Sequence, residues 1–338
     1  MPILSLIVAL ALAANPPPPA RATFLFDLAS PTGVVGSTWA QIAYDPAHDE
    51  TFVASGGLVR IFNPLGMEVH DFGNGGELGN IAGIAVTPEG DMLLLGTSES
   101  RRSIVRVDFR GDPVGTIKLT GLPESLSADF NPDAIAYVDG KLYLAQLSRL
   151  VAVVADLEGK VLRVQDLSPA VSVDGGTSWV RGFSADTSGR ILLTMPLLFQ
   201  VAIVSPDGQV HRFGTRGSAP GRFNVVGKMV ADEKGNLFIT DTLRCVVMVF
   251  DPQLVFRGEF GYRGDNPGNL AAPLDLAVGK GKVMVASAGN RGVNVYRVEF
   301  PDPPPEPAAP PAAPPAAPAP APPPTSAPAT PPAKAAPR

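Results

Sequence analysis

The chain has 338 residues, a formal net charge of −5 at pH 7 and one cysteine, Cys245. The acidic balance argues against general nucleic-acid binding, which needs a basic face, and a lone cysteine cannot form an intrachain disulfide. We therefore expect Cys245 to be a small buried residue and the stability of the fold to come from side-chain packing.

Residues 1–14, MPILSLIVALALAA, contain a run of about a dozen apolar residues, long enough for the core of a signal peptide and too short to span a bilayer. Small residues that could precede a cleavage site stand at 11–13 and at 20–22. We interpret residues 1–22 as the signal peptide of an exported protein, periplasmic or extracellular. No Lys or Arg precedes the apolar run, so an ordinary apolar N-terminus is the alternative.

No cysteine lies near these cleavage positions, so a lipoprotein anchor is not supported, and no later segment has the length and hydrophobicity of a membrane span. We therefore expect a protein that is not an integral membrane protein. After the apolar run, residues 23–28, TFLFDL, form one isolated predicted strand.

A repeat of about 41 to 50 residues runs from Ala22 to Phe300, which is the size of one four-stranded propeller blade. It is located by the residue that opens the second strand of each unit, and in five of the six units this residue follows a glycine. The six positions are Glu50, Asp91, Lys141, Arg190, Asn236 and Lys282. The sequence therefore predicts an all-β fold, a six-bladed β-propeller over residues 23–300.

The blades are predicted over residues 39–73, 81–121, 133–167, 180–214, 226–261 and 274–300. The last unit has three strands of its own, and a propeller must close without an exposed edge. We expect the strand at 23–28 to supply its outermost strand. In the fifth unit we expect strands at 229–231, 237–240, 246–250 and 254–259.

The fifth unit carries a recognisable motif. Residues 214–224, GTRGSAPGRFN, precede an apolar strand that ends at Ala231-Asp232, and GNLFITD follows at 235–241. This pattern resembles an NHL repeat. The sixth unit is similar through Gly268, Pro273 and residues 289–291, with Ser287 where the family usually has an aspartate. The match is specific over residues 213–300, and the resemblance implies a propeller of the NHL type.

Residues 301–338 are almost entirely proline and alanine. Such a segment cannot bury a core, and prolines favour an extended polyproline II form. We expect a disordered tail that is either an inert spacer or a contact for the cell wall or for a proline-recognising domain.

Candidate functional residues gather where the innermost strands begin and the second strands end, since both points lie on one face of a propeller. Trp39 and Trp179 precede innermost strands of opposite blades, and could wall a ligand site or pack between blades. Arg216 and Arg263 hold equivalent places in successive glycine-rich loops, and could clamp an anionic group or be solvated. The remaining candidates at this mouth are Gln41, Asp133, Arg181, Lys228, Asp241 and Asp275.

The same mouth contains residues that bear on metal-dependent catalysis. The three histidines are His48, His70 and His211, and we expect them on the opposite face or on outermost strands, so a histidine zinc site is not predicted. Asp133, Asp241 and Asp275 are oxygen ligands that calcium could accept. We predict no cofactor, with a divalent cation such as calcium as the alternative.

These features together predict an exported, noncatalytic scaffold. We expect it to bind a protein, peptide or glycan of the cell envelope, and no nucleic acid, through the loop face at the channel mouth. The alternative is a metal-dependent lactonase or lyase of the six-bladed propeller type that uses the mouth carboxylates.

Overall fold

The computed structural model describes residues 17–31, 33–34, 40–73, 78–98, 101–173, 176–288 and 292–301. Four features named above lie outside these residues: most of the predicted signal peptide, Trp39, the motif residues 289–291 and the Pro/Ala-rich tail after residue 301.

The described residues form an all-β structure. In chain order, the strands through the second blade are β1 (Arg21–Asp27), β2 (Ala29–Ser30), β3 (Gly33–Val34), β4 (Gln41–Asp45), β5 (Glu50–Ser55), β6 (Leu58–Phe62), β7 (Glu68–Phe72), β8 (Asn80–Val86), β9 (Met92–Ser98), β10 (Arg101–Val107) and β11 (Pro113–Ile117). The elements of the third and fourth blades are α1 (Glu124–Ser127), β12 (Ala134–Val138), β13 (Lys141–Gln146), β14 (Val151–Ala155), β15 (Val161–Asp166), α2 (Ser168–Val171), β16 (Ser172–Val173), β17 (Gly176–Thr177), β18 (Gly182–Ala185), β19 (Ile191–Met195), β20 (Gln200–Val204) and β21 (Val210–Phe213). The last two blades contain β22 (Val226–Ala231), β23 (Leu237–Asp241), β24 (Val246–Phe250), β25 (Phe256–Gly261), β26 (Pro273–Gly279), β27 (Lys282–Ser287) and β28 (Val293–Glu299).

Within the described ranges, these strands build six four-stranded antiparallel sheets: β4–β7, β8–β11, β12–β15, β18–β21, β22–β25, and β26–β28 completed by β1. The innermost strands β4, β8, β12, β18, β22 and β26 each pack against the next, and β26 packs back against β4. The six-bladed propeller predicted from the repeat is therefore confirmed. No helix of the described residues has the length and apolar character needed to cross a membrane.

The ring closes through β1, as predicted. β1 pairs antiparallel with β28, with Phe24 opposite Tyr296. The strand begins at Arg21 rather than at residue 23, and the preceding Ala20 N–H donates to the Arg257 carbonyl on β25 at 2.6 Å. The chain is thus bonded to the fifth blade through Ala20 and to the sixth blade through β1, and ties the two together.

The outermost strand of the fifth blade differs from the prediction, which placed it at 254–259. The observed strand is β25, because the preceding turn is longer than the apolar pattern indicates. The Asp251 carboxylate accepts the N–H groups of Gln253 and Val255, and Leu254 has a φ of 63°. A left-handed leucine belongs to a turn and cannot continue a strand.

Apolar side chains fill the spaces between neighbouring blades. Between the fourth and fifth blades, the glycine-rich loop inserts Phe223, which is fully buried against Phe213 and Phe250. The loop is held by a hydrogen bond from the Phe223 N–H to the Thr215 carbonyl at 2.9 Å. The conspicuous loop motif thus seals a junction between blades, and places the innermost strand that follows it.

Candidate functional site

A cavity of about 380 Å³ opens where the innermost strands begin, at one end of the central channel. Six of the ten candidate residues line it: Gln41, Asp133, Trp179, Arg181, Lys228 and Asp275. The structure therefore brings together groups from five blades that lie far apart in the sequence. We refer to this cavity as the mouth.

Trp179 and Arg181 reach the mouth because of strand alternation. Val180 between them is 2% exposed and packs in the core between the third and fourth blades. Since successive side chains of an extended chain point to opposite sides, burying Val180 turns both neighbours toward the mouth. Trp179 is 57% exposed, so its ring is presented to solvent rather than packed between blades.

The backbone beneath Arg181 is fixed by a close approach of two blades. The Arg181 N–H donates to the Thr194 carbonyl at 2.9 Å, and the Gly182 N–H donates to Thr194 Oγ1 at 2.8 Å. That hydroxyl in turn donates to the Gly227 carbonyl of the next blade at 2.6 Å. A Cβ at Gly182 would lie 2.6 Å from the same carbonyl oxygen, so only glycine fits this contact.

Lys228 and Asp275 form an ion pair across two blades. Lys228 Nζ lies 2.5 Å from Asp275 Oδ1, in a contact that is not aligned as a hydrogen bond, and the aspartate side chain is 4% exposed. Asp275 Oδ2 accepts the Ile42 N–H of the first blade at 2.7 Å. The pair therefore joins the fifth, sixth and first blades, and each charge is neutralised by the other.

Asp133 stands immediately before β12, beside Arg181 in the order of the blades. Its Oδ1 accepts the Leu147 N–H at 2.9 Å, which connects the start of the innermost strand to the loop after β13. Burial raises the pKa of this carboxyl, although the Leu147 N–H and the nearby Arg102 oppose the rise. Asp133 is a partly desolvated acid that faces the mouth.

Asp241 ends β23, where the sequence placed it, but it is not among the residues that line the mouth. Its carboxylate is fully buried and accepts three backbone N–H groups, from Asn224, Val225 and Arg244. The aspartate of the fifth-blade motif thus fastens the loop before β22 to the loop after β23. Ser287 holds the equivalent place in the sixth blade, where its Oγ lies 3.5 Å from the Ala271 nitrogen.

Arg216 and Arg263 are both exposed in loops that lead from an outermost strand to the next innermost strand. The Arg216 guanidinium lies over the Phe199 ring, 4.8 Å from its centroid. Neither arginine lines the mouth, so both belong to the outer part of this face. Trp39 lies outside the described residues, and the adjacent Ala40 lines the mouth.

Sequence reasoning missed three exposed apolar side chains on the same face. Leu197 follows β19 and Leu243 follows β23, in loops joining second to third strands, and they are 68% and 66% exposed. Tyr262, in the loop after β25, is also exposed. Nothing in the sequence separates these residues from buried ones, because apolar side chains in a β-repeat are ordinarily core residues.

Among the described residues, no three His, Cys, Asp or Glu side chains converge as a metal site would require. The histidines lie where the sequence predicted. His48 is in the turn after β4, bonded to Asp45 at 2.6 Å, while His70 and His211 are on the outermost strands β7 and β21. The three imidazoles are therefore separated from the mouth.

No family model matches this chain. Over 251 residues it is 25% identical to the E3 ubiquitin-protein ligase TRIM56 of Mus musculus, an alignment that covers 64% of this chain and 33% of that protein. The chain thus spans about a third of the length of this curated relative.

Solved structures share the architecture at low sequence identity. A streptogramin B lyase structure has a TM-score of 0.56 at 13% identity, covering 83% of this chain and 98% of that one. The virginiamycin B lyase from Staphylococcus aureus has a TM-score of 0.56 at 9% identity, covering 82% and 99%. A protein of unknown function from Bacteroides thetaiotaomicron has a TM-score of 0.57 at 14% identity, covering 83% and 76%. At these identities the likeness establishes the fold alone.

Proposed function

We propose that this face of the propeller binds a protein or peptide partner without catalysis, with the mouth at its centre. The observation that carries the proposal is the pairing of an exposed tryptophan, Trp179, with Arg181 at the edge of a preformed cavity. Tryptophan and arginine dominate binding energy at protein interfaces, and concave sites with a few polar groups are where ligands bind.

The apolar residues outside the mouth support a macromolecular partner. Leu197 and Leu243 stand exposed on adjacent blades, on the face that also presents Trp179. Exposed apolar side chains beside a cavity offer surface that a macromolecular partner can remove from water. A protein or peptide could cover them while it inserts a group into the mouth.

The alternative is a metal-dependent lactonase or lyase at the same mouth, a function for which Asp133, Asp241 and Asp275 would have to supply ligands. All three carboxylates already have structural partners: Asp133 accepts the Leu147 N–H, Asp241 accepts three backbone N–H groups, and Asp275 pairs with Lys228 and accepts the Ile42 N–H. Recruiting them for an ion would break contacts that hold the blades together, so we favour binding. A divalent ion retained by the full-length protein after dialysis, and lost on Asp133→Ala, would support the enzyme instead.

The repeats are, in this proposal, of the NHL type, and the protein is exported with its Pro/Ala-rich tail as a spacer. The fifth-blade motif supports the repeat type, since its aspartate and its glycine-rich loop have defined structural roles in joining the blades. The apolar run at residues 1–14 supports export.

Site-specific photocrosslinking tests the proposed face. The photoreactive residue p-benzoylphenylalanine replaces Leu243 or, as a matched control, Val255, which is exposed in the turn between β24 and β25 at the opposite face of the same blade. In cells that produce the protein naturally, we expect a discrete adduct from position 243 and none from position 255. Trp179→Ala should reduce the yield, because the aromatic anchor is lost.

Two results would contradict the proposal. Equal adducts from positions 243 and 255 would mean that contact is not specific to this face. A position-243 adduct that persists unchanged with Trp179→Ala and with Arg181→Ala would mean that the mouth takes no part in binding.

A further inference from the structure

One of the two cations of the mouth, Arg181, has no ion-pair partner among the described residues. Lys228 is neutralised by Asp275 at 2.5 Å. Arg181 lines the same cavity, and among the described residues no carboxylate lies within ion-pairing distance of its guanidinium. Burial lowers the pKa of Arg181, yet a guanidinium stays charged in proteins. A partly desolvated positive charge is therefore presented to whatever enters the mouth.

The backbone that carries Arg181 is held in place by the structure around it. Val180 is anchored in the core, and the Arg181 and Gly182 N–H groups are both bonded to Thr194. Because the backbone on both sides of Arg181 is fixed, its Cα and Cβ atoms stay at the edge of the mouth. A fixed backbone and a partly buried side chain leave Arg181 less conformational freedom to lose on pairing than a fully exposed arginine in a mobile loop would have.

The walls define the size and polarity of the group that fits. Ala82, Phe183 and Leu274 contribute apolar surface to a volume of about 380 Å³, enough for a single side chain or chain terminus and small for a folded segment. Further down the channel, a cavity of about 160 Å³ is lined by Ile84 and Ile135. An anion carried on a compact apolar group matches these walls.

The neighbouring acid narrows the class of anion. Asp133 lines the same mouth from the third blade, next to the fourth blade that carries Arg181, and its carboxylate accepts the Leu147 N–H. Its negative charge offsets part of the attraction that Arg181 exerts, so a second negative charge on the ligand gains little, whereas the cost of desolvating an ion rises with the square of its charge. A singly charged carboxylate is therefore favoured over a doubly charged phosphate. A carboxylate also matches the planar fork of an arginine with two parallel hydrogen bonds.

We propose that the mouth binds one carboxylate of the partner, paired with Arg181 and flanked by the Trp179 ring. The inference rests on the proposed function and deepens it by naming the group that is recognised. The carboxylate is either the C-terminus of a peptide or the side chain of an aspartate or glutamate. Arg181 supplies the charge recognition, and Trp179 covers the apolar part of the same residue.

Small acids and their neutral amides test this directly on the full-length protein. We would titrate N-acetyl-phenylalanine, which mimics a C-terminal residue, and N-acetyl-glutamic acid α-amide, which mimics an internal acidic residue, by calorimetry. N-acetyl-phenylalaninamide and N-acetyl-glutamine amide are the uncharged counterparts. We expect at least one acid to bind about tenfold more tightly than its amide, because a hydrogen bond to a charged group is the stronger one. Which acid shows the difference identifies the source of the carboxylate.

Two variants assign the effect to Arg181. Arg181→Met should abolish the preference of acid over amide, while Arg110→Met, which removes an exposed arginine of the opposite face, should keep it. Arg181→Lys retains the charge and should keep part of the preference. This variant distinguishes the loss of the charge from a folding defect caused by substitution at this position. In nitrogen-15 NMR spectra, the Arg181 Nε–H resonance should shift with the acid and not with the amide.

Three results would overturn the assignment: equal affinity of acid and amide, no binding of either acid, or an equal loss in Arg181→Met and Arg110→Met. Each of these leaves the photocrosslinking result untouched. If position 243 still gives its adduct, the face binds its partner without carboxylate recognition. If position 243 gives none, the proposed function itself is wrong.

Discussion

Replacing Lys228 by methionine should destabilise the propeller, because Lys228 is a structural cation as well as a residue of the mouth. The methionine keeps the length and the apolar stem of the side chain but removes the charge. Asp275 would then remain buried, with the Ile42 N–H as its remaining partner. An uncompensated buried carboxylate is among the few causes of large destabilisation by one substitution.

The magnitude follows from the burial of the pair, whose side chains are 20% exposed for Lys228 and 4% for Asp275. Removing one partner of a buried ion pair costs about 3–5 kcal/mol. We expect the lower end, about 3 kcal/mol, because Asp275 keeps one backbone hydrogen bond. For a domain of this size, that loss lowers the melting temperature by roughly 6–12 °C.

Chemical denaturation of four proteins would measure the effect: the parent, Lys228→Met, Asp275→Asn, and the double variant. The double variant retains an acceptor for the Ile42 N–H and contains no buried charge, so it should recover most of the stability lost in Lys228→Met. A loss below about 1 kcal/mol for Lys228→Met, as for an exposed pair, would refute the reasoning. Additive losses of stability in the double variant would also refute the reasoning. Either outcome would mean that Lys228 is not required to neutralise Asp275 and could bind a ligand.

Three further predictions concern individual side chains. Asp241→Ala should cost about 3–5 kcal/mol in the free energy of unfolding, because three backbone N–H groups lose their acceptor. Asp129→Ala, at an exposed residue, should change it by less than about 0.5 kcal/mol, and equal losses would contradict this role. Burial raises the pKa of Asp133, so its contribution to stability is fully present at low pH and is lost as the pH rises through the raised value. The free energy of unfolding of Asp133→Asn relative to that of the parent should therefore increase from about pH 3 to pH 7. A difference in stability that stays constant across this range would contradict a raised pKa. Cys245 is 6% exposed, so the rate at which a thiol reagent modifies the native protein should be limited by the rate of local unfolding around this residue. Immediate stoichiometric reaction would instead show that the thiol is accessible.

The fold could be predicted because the period and the strand pattern are local features of the sequence. Six second strands preceded by short turns give the blade length, and the unpaired strand ahead of the first blade gives the closure. What the sequence left uncertain were the ends of strands that side-chain hydrogen bonds decide. Leu254 fits an apolar strand pattern, but the Asp251 carboxylate holds it in a turn, and alternation of apolar residues carries no sign of such a cap.

The candidate site could be predicted in position but not in role. The starts of the innermost strands converge in any propeller, so residues such as Gln41 and Arg181 could be assigned to the mouth. Their partners come from other blades, which no sequence spacing indicates. Lys228 and Asp275 are thus indistinguishable in the sequence from free ligand groups, although the structure pairs them. Exposure of Leu197 and Leu243 likewise depends on which loop lies at the surface.

The pairing of β1 with β28 sets the order in which the molecule can be completed. Asp27 and its hydrogen-bond partner Asn294 are 267 residues apart in the chain. At synthesis rates of roughly 5–20 residues per second, β1 waits on the order of tens of seconds before β28 exists. β1 is therefore the first strand of the propeller to be synthesised, and it pairs with β28 only at the end of synthesis. A chain that stops before residue 293 contains five complete blades and a sixth whose strand edge is unpaired.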